Sequence, residues 1–153
     1  MPSLITELEN FTKVRYGISS IKEVSTNNKS IGPELITSVL KLVNSKNKLS
    51  DLEFVLYRQW LEYACLYAPL FENNSTVHHL LKELNGSLTT KSYFIQDQLT
   101  IIDAIFYYLS YPVMVSLSFQ DKEKYLNLSR WFNTVQQDTE IRQAKSFVIF
   151  SRT

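Results

Sequence analysis

Residues 99–111 read Leu-Thr-Ile-Ile-Asp-Ala-Ile-Phe-Tyr-Tyr-Leu-Ser-Tyr, a stretch that is apolar on nearly every side when it is wound as a helix. A helix without a polar face is buried all round. Its start carries a capping box, in which the Thr100 side chain accepts from the N–H of Asp103 and the Asp103 carboxylate accepts from the N–H of Thr100. Loss of this cap is expected to cost about 0.5–2 kcal/mol. We therefore predict a buried helix whose capping box, Thr100 and Asp103, has a structural and not a chemical role.

Apolar residues at helical spacing continue on both sides of this segment. They predict amphipathic helices over residues 35–43, 52–67, 77–88 and 128–135. The core-facing stripes of the second and fourth helices are predicted to be Leu52, Val55, Leu56, Trp60, Tyr63 and Tyr67, and Leu128, Trp131, Phe132 and Val135.

Weaker patterns lie at the start of the chain, between the first two of these helices and at the end. Residues 1–20 hold a partial helical pattern, and residues 21–24 alternate like a short strand. The polar run 44–50 is the predicted linker between two lobes. The apolar cluster 147–150 is predicted to hold the tail against the body of the protein.

Charge and composition exclude several classes of function. The 16 basic and 15 acidic side chains give a net charge of +1, so there is no basic excess to bind nucleic acid or an anionic membrane. The longest apolar run is far shorter than the roughly 20 residues of a membrane-spanning helix. The N-terminal segment lacks the basic start and apolar core of a secretory signal, and Cys65 is the only cysteine. These features indicate a protein of the cytoplasm or nucleus, where thiols stay reduced.

Three runs of sequence resemble one family. They are residues 59–63 (Gln-Trp-Leu-Glu-Tyr), 80–85 (Leu-Leu-Lys-Glu-Leu-Asn) and 122–132 (Lys-Glu-Lys-Tyr-Leu-Asn-Leu-Ser-Arg-Trp-Phe). With the capping box, they resemble the glutathione-transferase-like family and, within it, the elongation factor 1 epsilon branch. The resemblance implies a mostly α-helical fold, with a truncated thioredoxin-like lobe at residues 1–45 and an all-helical domain at residues 51–153.

The resemblance also implies a protein that is not an enzyme. A glutathione transferase activates its cofactor with a Tyr, Ser or Cys after its first strand and holds the peptide against a cis-proline. Tyr16 is the candidate hydroxyl, but no strand leads into it, and Ile21-Lys22-Glu23 replaces the family's Ile-Pro-Val turn. We therefore expect no catalytic residue and no cofactor.

Other chemistries have less support from the residues themselves. His78 and His79 are adjacent, so on a helix they point about 100° apart and do not grip one metal ion. Cys65 is interpreted as a small buried hydrophobe rather than a nucleophile. The three glycines are too few for a phosphate-binding loop. No metal site is expected.

Partner-binding residues are predicted on two helices. On the helix from Asn127, four residues fall opposite the core stripe. They are Arg130, Asn133, Thr134 and Gln137. Arg130 has no acidic residue at i±4 and is an available planar donor, although an ordinary solvated face fits the sequence as well. The resemblance implies that Arg130 contacts the transferase-like domain of glutamyl-prolyl-tRNA synthetase.

The second predicted surface lies on the helices over residues 35–43 and 52–67. The resemblance implies that it binds the transferase-like domain of methionyl-tRNA synthetase through Tyr57, Arg58 and Leu61, although these residues fit a core role equally. The implied function is a scaffold of the multi-aminoacyl-tRNA-synthetase complex in translation. The alternatives are a small glutathione-transferase-like enzyme and a transferase-like subunit of another elongation factor 1 complex.

Overall fold

The computed structural model describes residues 4–17 and 33–151, and their regular structure is helical. The predicted mostly α-helical fold class is confirmed for these residues. The strand predicted at residues 21–24 lies outside them. The helices are α1 (Leu4–Tyr16), α2 (Pro33–Lys46), α3 (Asp51–Tyr67), α4 (Val77–Ser87), α5 (Ile101–Ser116), α6 (Phe119–Lys124), α7 (Leu126–Val135) and α8 (Thr139–Arg142), with a 3₁₀ helix at Ala68–Glu72. No described helix is long and apolar enough to cross a membrane.

The chain divides into two compact units, Met1–Pro69 and Leu70–Thr153. In the first unit α2 packs against α3. The segment predicted as a linker, residues 44–50, contains the last turn of α2 and a short connection closed by a hydrogen bond from the Leu49 N–H to Asn44 Oδ1 (3.0 Å). The division into a lobe at residues 1–45 and a domain from residue 51 remains a prediction.

The start of α3 is fixed by a capping box of its own. The Glu53 N–H donates to Ser50 Oγ at 3.2 Å, and the Ser50 N–H donates to Glu53 Oε1 at 3.3 Å. These two bonds satisfy backbone donors that the first turn of a helix leaves without partners.

The core-facing side of α3 differs from the predicted stripe. The structure buries Tyr57, Leu61 and Ala64, whereas Leu52 and Val55 are exposed. Predicted stripe members further along the helix, Trp60 among them, are only half-buried. The two stripes differ by about 100°, or one residue, because both are spaced at i, i+3 and i+4. Most side chains of α3 are apolar or aromatic, so periodicity alone does not decide which side faces the core.

The second unit is built around α5 and α7. Residues Ile101 to Tyr108 of α5 are all buried, as predicted, and α5 continues past Pro112 to Ser116. α7 packs against α4, α5 and α6. The predicted stripes of α4 and α7 are confirmed, because their apolar residues are buried: Val77, Leu80, Leu81, Leu84 and Leu88, and Leu128, Trp131, Phe132 and Val135.

The tail after α8 follows the prediction only in part. Val148 is buried and Phe150 is half-buried, but Phe147 and Ile149 are exposed. The apolar cluster therefore holds the tail against α7 through alternate side chains rather than through all four.

Candidate partner-binding surfaces

Asp103 fixes the position of α7 relative to α5. Both halves of the predicted capping box form, and the Thr100 N–H donates to Asp103 Oδ2 at 2.9 Å. The other carboxylate oxygen accepts from the Trp131 indole N–H at 2.8 Å and from the Phe94 N–H at 3.2 Å. One buried side chain thus connects the start of α5, the preceding loop and the middle of α7. The sequence predicted the cap but not the bond to Trp131.

Burial sets the charge of this carboxyl group. Desolvation raises the pKa of Asp103 to about 6, against hydrogen bonds from Thr100, Trp131 and Phe94 that lower it. At neutral pH the group is therefore an anion surrounded by donors. This arrangement supports a structural role, since its oxygens accept from the protein itself.

The outer face of α7 carries the first predicted surface. Arg130, Asn133, Thr134 and Gln137 are all exposed, opposite the buried stripe of the same helix. The Thr134 hydroxyl donates to the Arg130 carbonyl at 3.0 Å, and Asn133 Oδ1 accepts from Gln136 Nε2 at 2.8 Å. The exposure of this face agrees with the prediction, and its use in binding remains a proposal.

Arg130 is less available than its sequence neighbours indicated. Its Nη2 donates to the Leu88 carbonyl at 2.8 Å and to the Lys91 carbonyl at 3.0 Å, while Nη1 lies 3.5 Å from Asn127 Oδ1. The two carbonyls belong to the loop after α4, so the guanidinium ties α7 to that loop. Helical spacing excluded an acidic partner at i±4 but gave no information about carbonyls about forty residues away.

The second predicted surface lies on α3, where the structure separates its members. Tyr57 and Leu61 are buried in the first unit, so they are not available at the surface. Arg58 is exposed and pairs with Glu62, whose Oε1 lies 2.9 Å from Arg58 Nε. Of the three proposed contacts, only Arg58 is at the surface of this chain.

A different set of α3 residues presents apolar surface. Leu52, Val55 and Leu66 are 59%, 58% and 68% exposed. Their spacing, continued by Gln59 and Glu62, places them along one side of the helix. The sequence did contain a signal for this exposed apolar side. α3 has more apolar residues than one core-facing stripe accounts for.

The two candidate reactive side chains, Tyr16 and Cys65, lie where burial favours their protonated forms. Burial raises the pKa of the Tyr16 hydroxyl. Burial, with Glu34 and Glu62 nearby, raises the pKa of the Cys65 thiol to about 11, so little thiolate exists at neutral pH. A thiol in this state is a poor nucleophile.

The two histidines make separate contacts. His78 Nδ1 lies 3.1 Å from the Tyr125 hydroxyl, and His79 Nε2 lies 3.2 Å from Glu83 Oε1. In the described part of the chain no three His, Cys, Asp or Glu side chains come together as a metal site would require.

Comparison with known proteins places the chain in a family. It is 37% identical over 139 residues to eukaryotic translation elongation factor 1 epsilon-1 of Homo sapiens, across 88% of this chain and 80% of that protein. The corresponding protein of Cricetulus griseus is 36% identical over 142 residues, with the same coverage. The chain belongs to the elongation factor 1 epsilon family.

The chain has two further similarities, one to a second family and one to a tRNA ligase. The family described as nuclear-export cofactor Arc1p matches residues 53–139, which run from the first turn of α3 to the start of α8. The cytoplasmic methionine–tRNA ligase of Xenopus laevis is 32% identical over 112 residues, which are 61% of this chain and 12% of the ligase. This member of the elongation factor 1 epsilon family therefore shares a domain with a tRNA ligase.

Proposed function

We propose that this chain is a non-catalytic adaptor of the multi-aminoacyl-tRNA-synthetase complex, working in translation in the cytoplasm and also in the nucleus. Its fold is proposed to be glutathione-transferase-like, with a truncated thioredoxin-like lobe at residues 1–45 and a helical domain at residues 51–153. The observation that carries the proposal is the apolar side of α3, formed by Leu52, Val55 and Leu66, in a chain that shares part of its sequence with a methionine–tRNA ligase.

The apolar side of α3 is the proposed docking surface for the transferase-like domain of methionyl-tRNA synthetase. Single exposed apolar residues are common, but here three share one side of one helix, with Gln59 and Glu62 between Val55 and Leu66. They form a mixed strip of a kind that partners cover. Glu62 lies within the strip and forms an exposed ion pair with Arg58 beside it. Protein interfaces combine apolar contacts with polar and charged groups.

The outer face of α7 is the proposed docking surface for the transferase-like domain of glutamyl-prolyl-tRNA synthetase. Asn133, Thr134 and Gln137 are short polar side chains that leave a partner helix room to approach. Arg130 supplies the one charge of this group, and two carbonyls hold its guanidinium in place. A side chain already held in one rotamer loses less entropy on binding. The intramolecular bonds of Arg130 are therefore compatible with an interface role.

Two surfaces on one chain suggest how an adaptor works without chemistry. A protein that binds two larger chains at once turns their meeting into an intramolecular event, with an effective concentration set by the linkage. The two proposed surfaces lie in different compact units, on α3 and on α7.

The first surface is tested by size-exclusion chromatography with light scattering, with the N-terminal domain of the same organism's methionyl-tRNA synthetase. Wild type is expected to form a one-to-one complex. Leu66→Asp should weaken it about thirtyfold, the effect of placing a charge in an apolar contact. Val115→Asp, an exposed apolar position on α5, is the matched control and should bind normally. Equal effects of the two variants, or no complex with wild type, would refute this surface.

The second surface is tested by measuring stability and affinity for the glutamyl-prolyl partner on the same samples. Arg130→Ala removes two hydrogen bonds inside the chain and should cost about 1 kcal/mol of stability as well as affinity. Thr134→Arg adds no acceptor for the Arg130 guanidinium and should lower affinity about tenfold with little change in stability. If Thr134→Arg binds normally and Arg130→Ala only lowers stability, Arg130 is structural. Retention on glutathione resin would favour the enzyme alternative.

A further inference from the structure

The tail that follows α8 is held in an unusual way. Residues 146–150, called the strap below, form no helix or strand, yet Val148 is only 6% exposed. Its neighbours Phe147 and Ile149 are 47% and 58% exposed. Side chains that alternate between inside and outside are those of an extended chain lying along a surface. The strap therefore contacts the body of the second unit like a bound peptide.

Four hydrogen bonds join side chains of the body to the backbone of the strap. The Val148 N–H donates to Gln136 Oε1 at 2.9 Å, and Gln136 Nε2 donates back to the Val148 carbonyl at 3.0 Å. The Tyr111 hydroxyl donates to the Ser146 carbonyl at 2.8 Å, and Lys122 Nζ donates to the Ile149 carbonyl at 2.7 Å. The Gln136 amide thus pairs with the strap as a neighbouring strand would. None of these four bonds depends on which side chains the strap carries.

Two polar side chains under the strap are largely covered. Gln136 is 1% exposed and Lys122 is 8% exposed. The Lys122 ammonium lies over the rings of Phe119 (5.0 Å) and Phe150 (5.5 Å), with the Ile149 carbonyl as its hydrogen-bond acceptor. While the strap covers these polar groups they need partners, and the strap's backbone supplies them.

We infer that Tyr111, Lys122, Phe132 and Gln136 form a peptide-docking groove, which the strap fills as a removable cover and which binds an extended segment of a partner when the strap leaves. Four backbone contacts supply affinity, as in β-strand addition, and two side-chain positions supply specificity. The segment that fits carries a β-branched aliphatic residue where Val148 lies. It carries an aromatic residue where Phe150 lies, 5.8 Å from the Phe132 ring. It carries no proline at the first of these positions, because that N–H donates to Gln136.

The inference is tested with a fluorescent peptide of residues 144–151 added to the intact chain. In the wild type the covalently attached strap competes at an effective concentration of roughly millimolar, so the peptide should bind weakly. Val148→Asp places a charge in the buried position, releases the strap and should raise peptide affinity about tenfold or more. Ile149→Asp is the matched control at an exposed position and should behave as wild type. Circular dichroism checks that each variant remains folded.

A second pair of variants separates groove binding from nonspecific attachment. Val148→Asp with Gln136→Ala should lose the peptide, whereas Val148→Asp with the exposed Gln137→Ala should keep it. Peptide binding that is equal in Val148→Asp and wild type overturns the inference. A wild-type dimer that depends on Gln136 would assign the groove to a second copy of this chain and would overturn the partner claim.

Native-state hydrogen exchange tests the inference on the wild type alone, whatever the variants do. A removable strap opens locally, so the Val148 amide should exchange at least about tenfold faster than the amides of Phe132 and Val135 in α7. If the Val148 amide exchanges only with global unfolding, the strap is a permanent part of the core and the inference fails.

Discussion

α3 and α7 are both single helices with one buried stripe, but their sequences determine that stripe to different degrees. In α7 the polar residues Arg130, Asn133 and Thr134 occupy one side, so the buried side follows directly from the spacing. In α3 apolar residues occur on most sides, and the buried stripe lies one residue away from the predicted one. The surplus apolar residues of α3 are left at the surface.

The difference also concerns how each helix is held. α7 is linked to α5 by a buried carboxylate, Asp103, which accepts from Trp131 in the middle of α7. α3 is held by the burial of Tyr57, Leu61 and Ala64 and by a capping box at its exposed end. A directional contact fixes the rotation of a helix, whereas apolar burial specifies the rotation less strictly when several sides of the helix are apolar. The following predictions test this comparison.

The largest effect is expected where the directional contact is removed. Asp103→Ala leaves the buried donors of Phe94, Thr100 and Trp131 without their acceptor, and each such loss costs about 1–3 kcal/mol. We expect a loss of about 4 kcal/mol in the free energy of unfolding, measured with urea. Asp97→Ala, at an exposed turn, is the control and should change stability by less than about 0.5 kcal/mol. Similar losses in both variants would show that Asp103 does not anchor α7.

The two sides of α3 should respond differently to the same truncation. Leu61→Ala removes a fully buried side chain and should cost about 3 kcal/mol. Leu66→Ala removes an exposed one and should change stability by less than about 0.5 kcal/mol. Denaturant unfolding measures both. If the ranking is reversed, the rotation of α3 is wrong and the original stripe, with Leu52 and Val55 inward, is restored.

The sequence predicted the second unit better than the first. Residues 99–111 identified the buried helix α5 and its cap, because a helix without a polar face has only one environment. The stripe of α7 was predicted because apolar and polar residues separate cleanly at helical spacing. Both patterns are local, so they can be recognised in a single sequence without knowledge of contacts between distant residues.

The features that were not predicted depend on contacts between distant residues. The bond from Trp131 to Asp103 spans 28 positions, and the bonds from Arg130 to the loop after α4 span 42 and 39. The Gln136 pairing with the strap depends on where the tail lies after α8. Spacing along one helix identifies which side of it is free but does not identify a carbonyl that folding brings to that side. Arg130 is therefore less available than the spacing indicated, and its role in binding remains a prediction.

The charge of Asp103, which links α5 to α7, should make part of the free energy of unfolding depend on pH. Burial raises the pKa of Asp103 from its ordinary 3.8 to about 6, so the folded state holds this proton more tightly than the unfolded state. The resulting stability is fully present below about pH 4 and is lost as the pH rises through about 6. Relative to Asp103→Asn, the wild type should lose about 3 kcal/mol over this range.

Urea unfolding of the wild type and Asp103→Asn at a series of pH values measures this difference. Trp131 fluorescence gives an independent measurement, because its indole donates to the same carboxylate and should change near pH 6. A constant difference in stability from pH 4 to 7 would mean that Asp103 ionises at its ordinary pKa in the folded state.

The smallest effects are expected at the two capping boxes, which share one chemistry but differ in solvent exposure. Ser50 caps α3 at an exposed end, whereas Thr100 caps α5 where the surroundings are partly buried. Water replaces a lost cap acceptor at an exposed end but not at a buried one, so Thr100→Ala should cost about 2 kcal/mol and Ser50→Ala about 0.5 kcal/mol. Thr100→Ser keeps the hydroxyl and should restore most of the loss, which separates the cap from the packing of the methyl group. Equal costs at Ser50 and Thr100 would mean that solvent reaches the start of α5, and the directional contact at Asp103 would then be weaker than its burial implies.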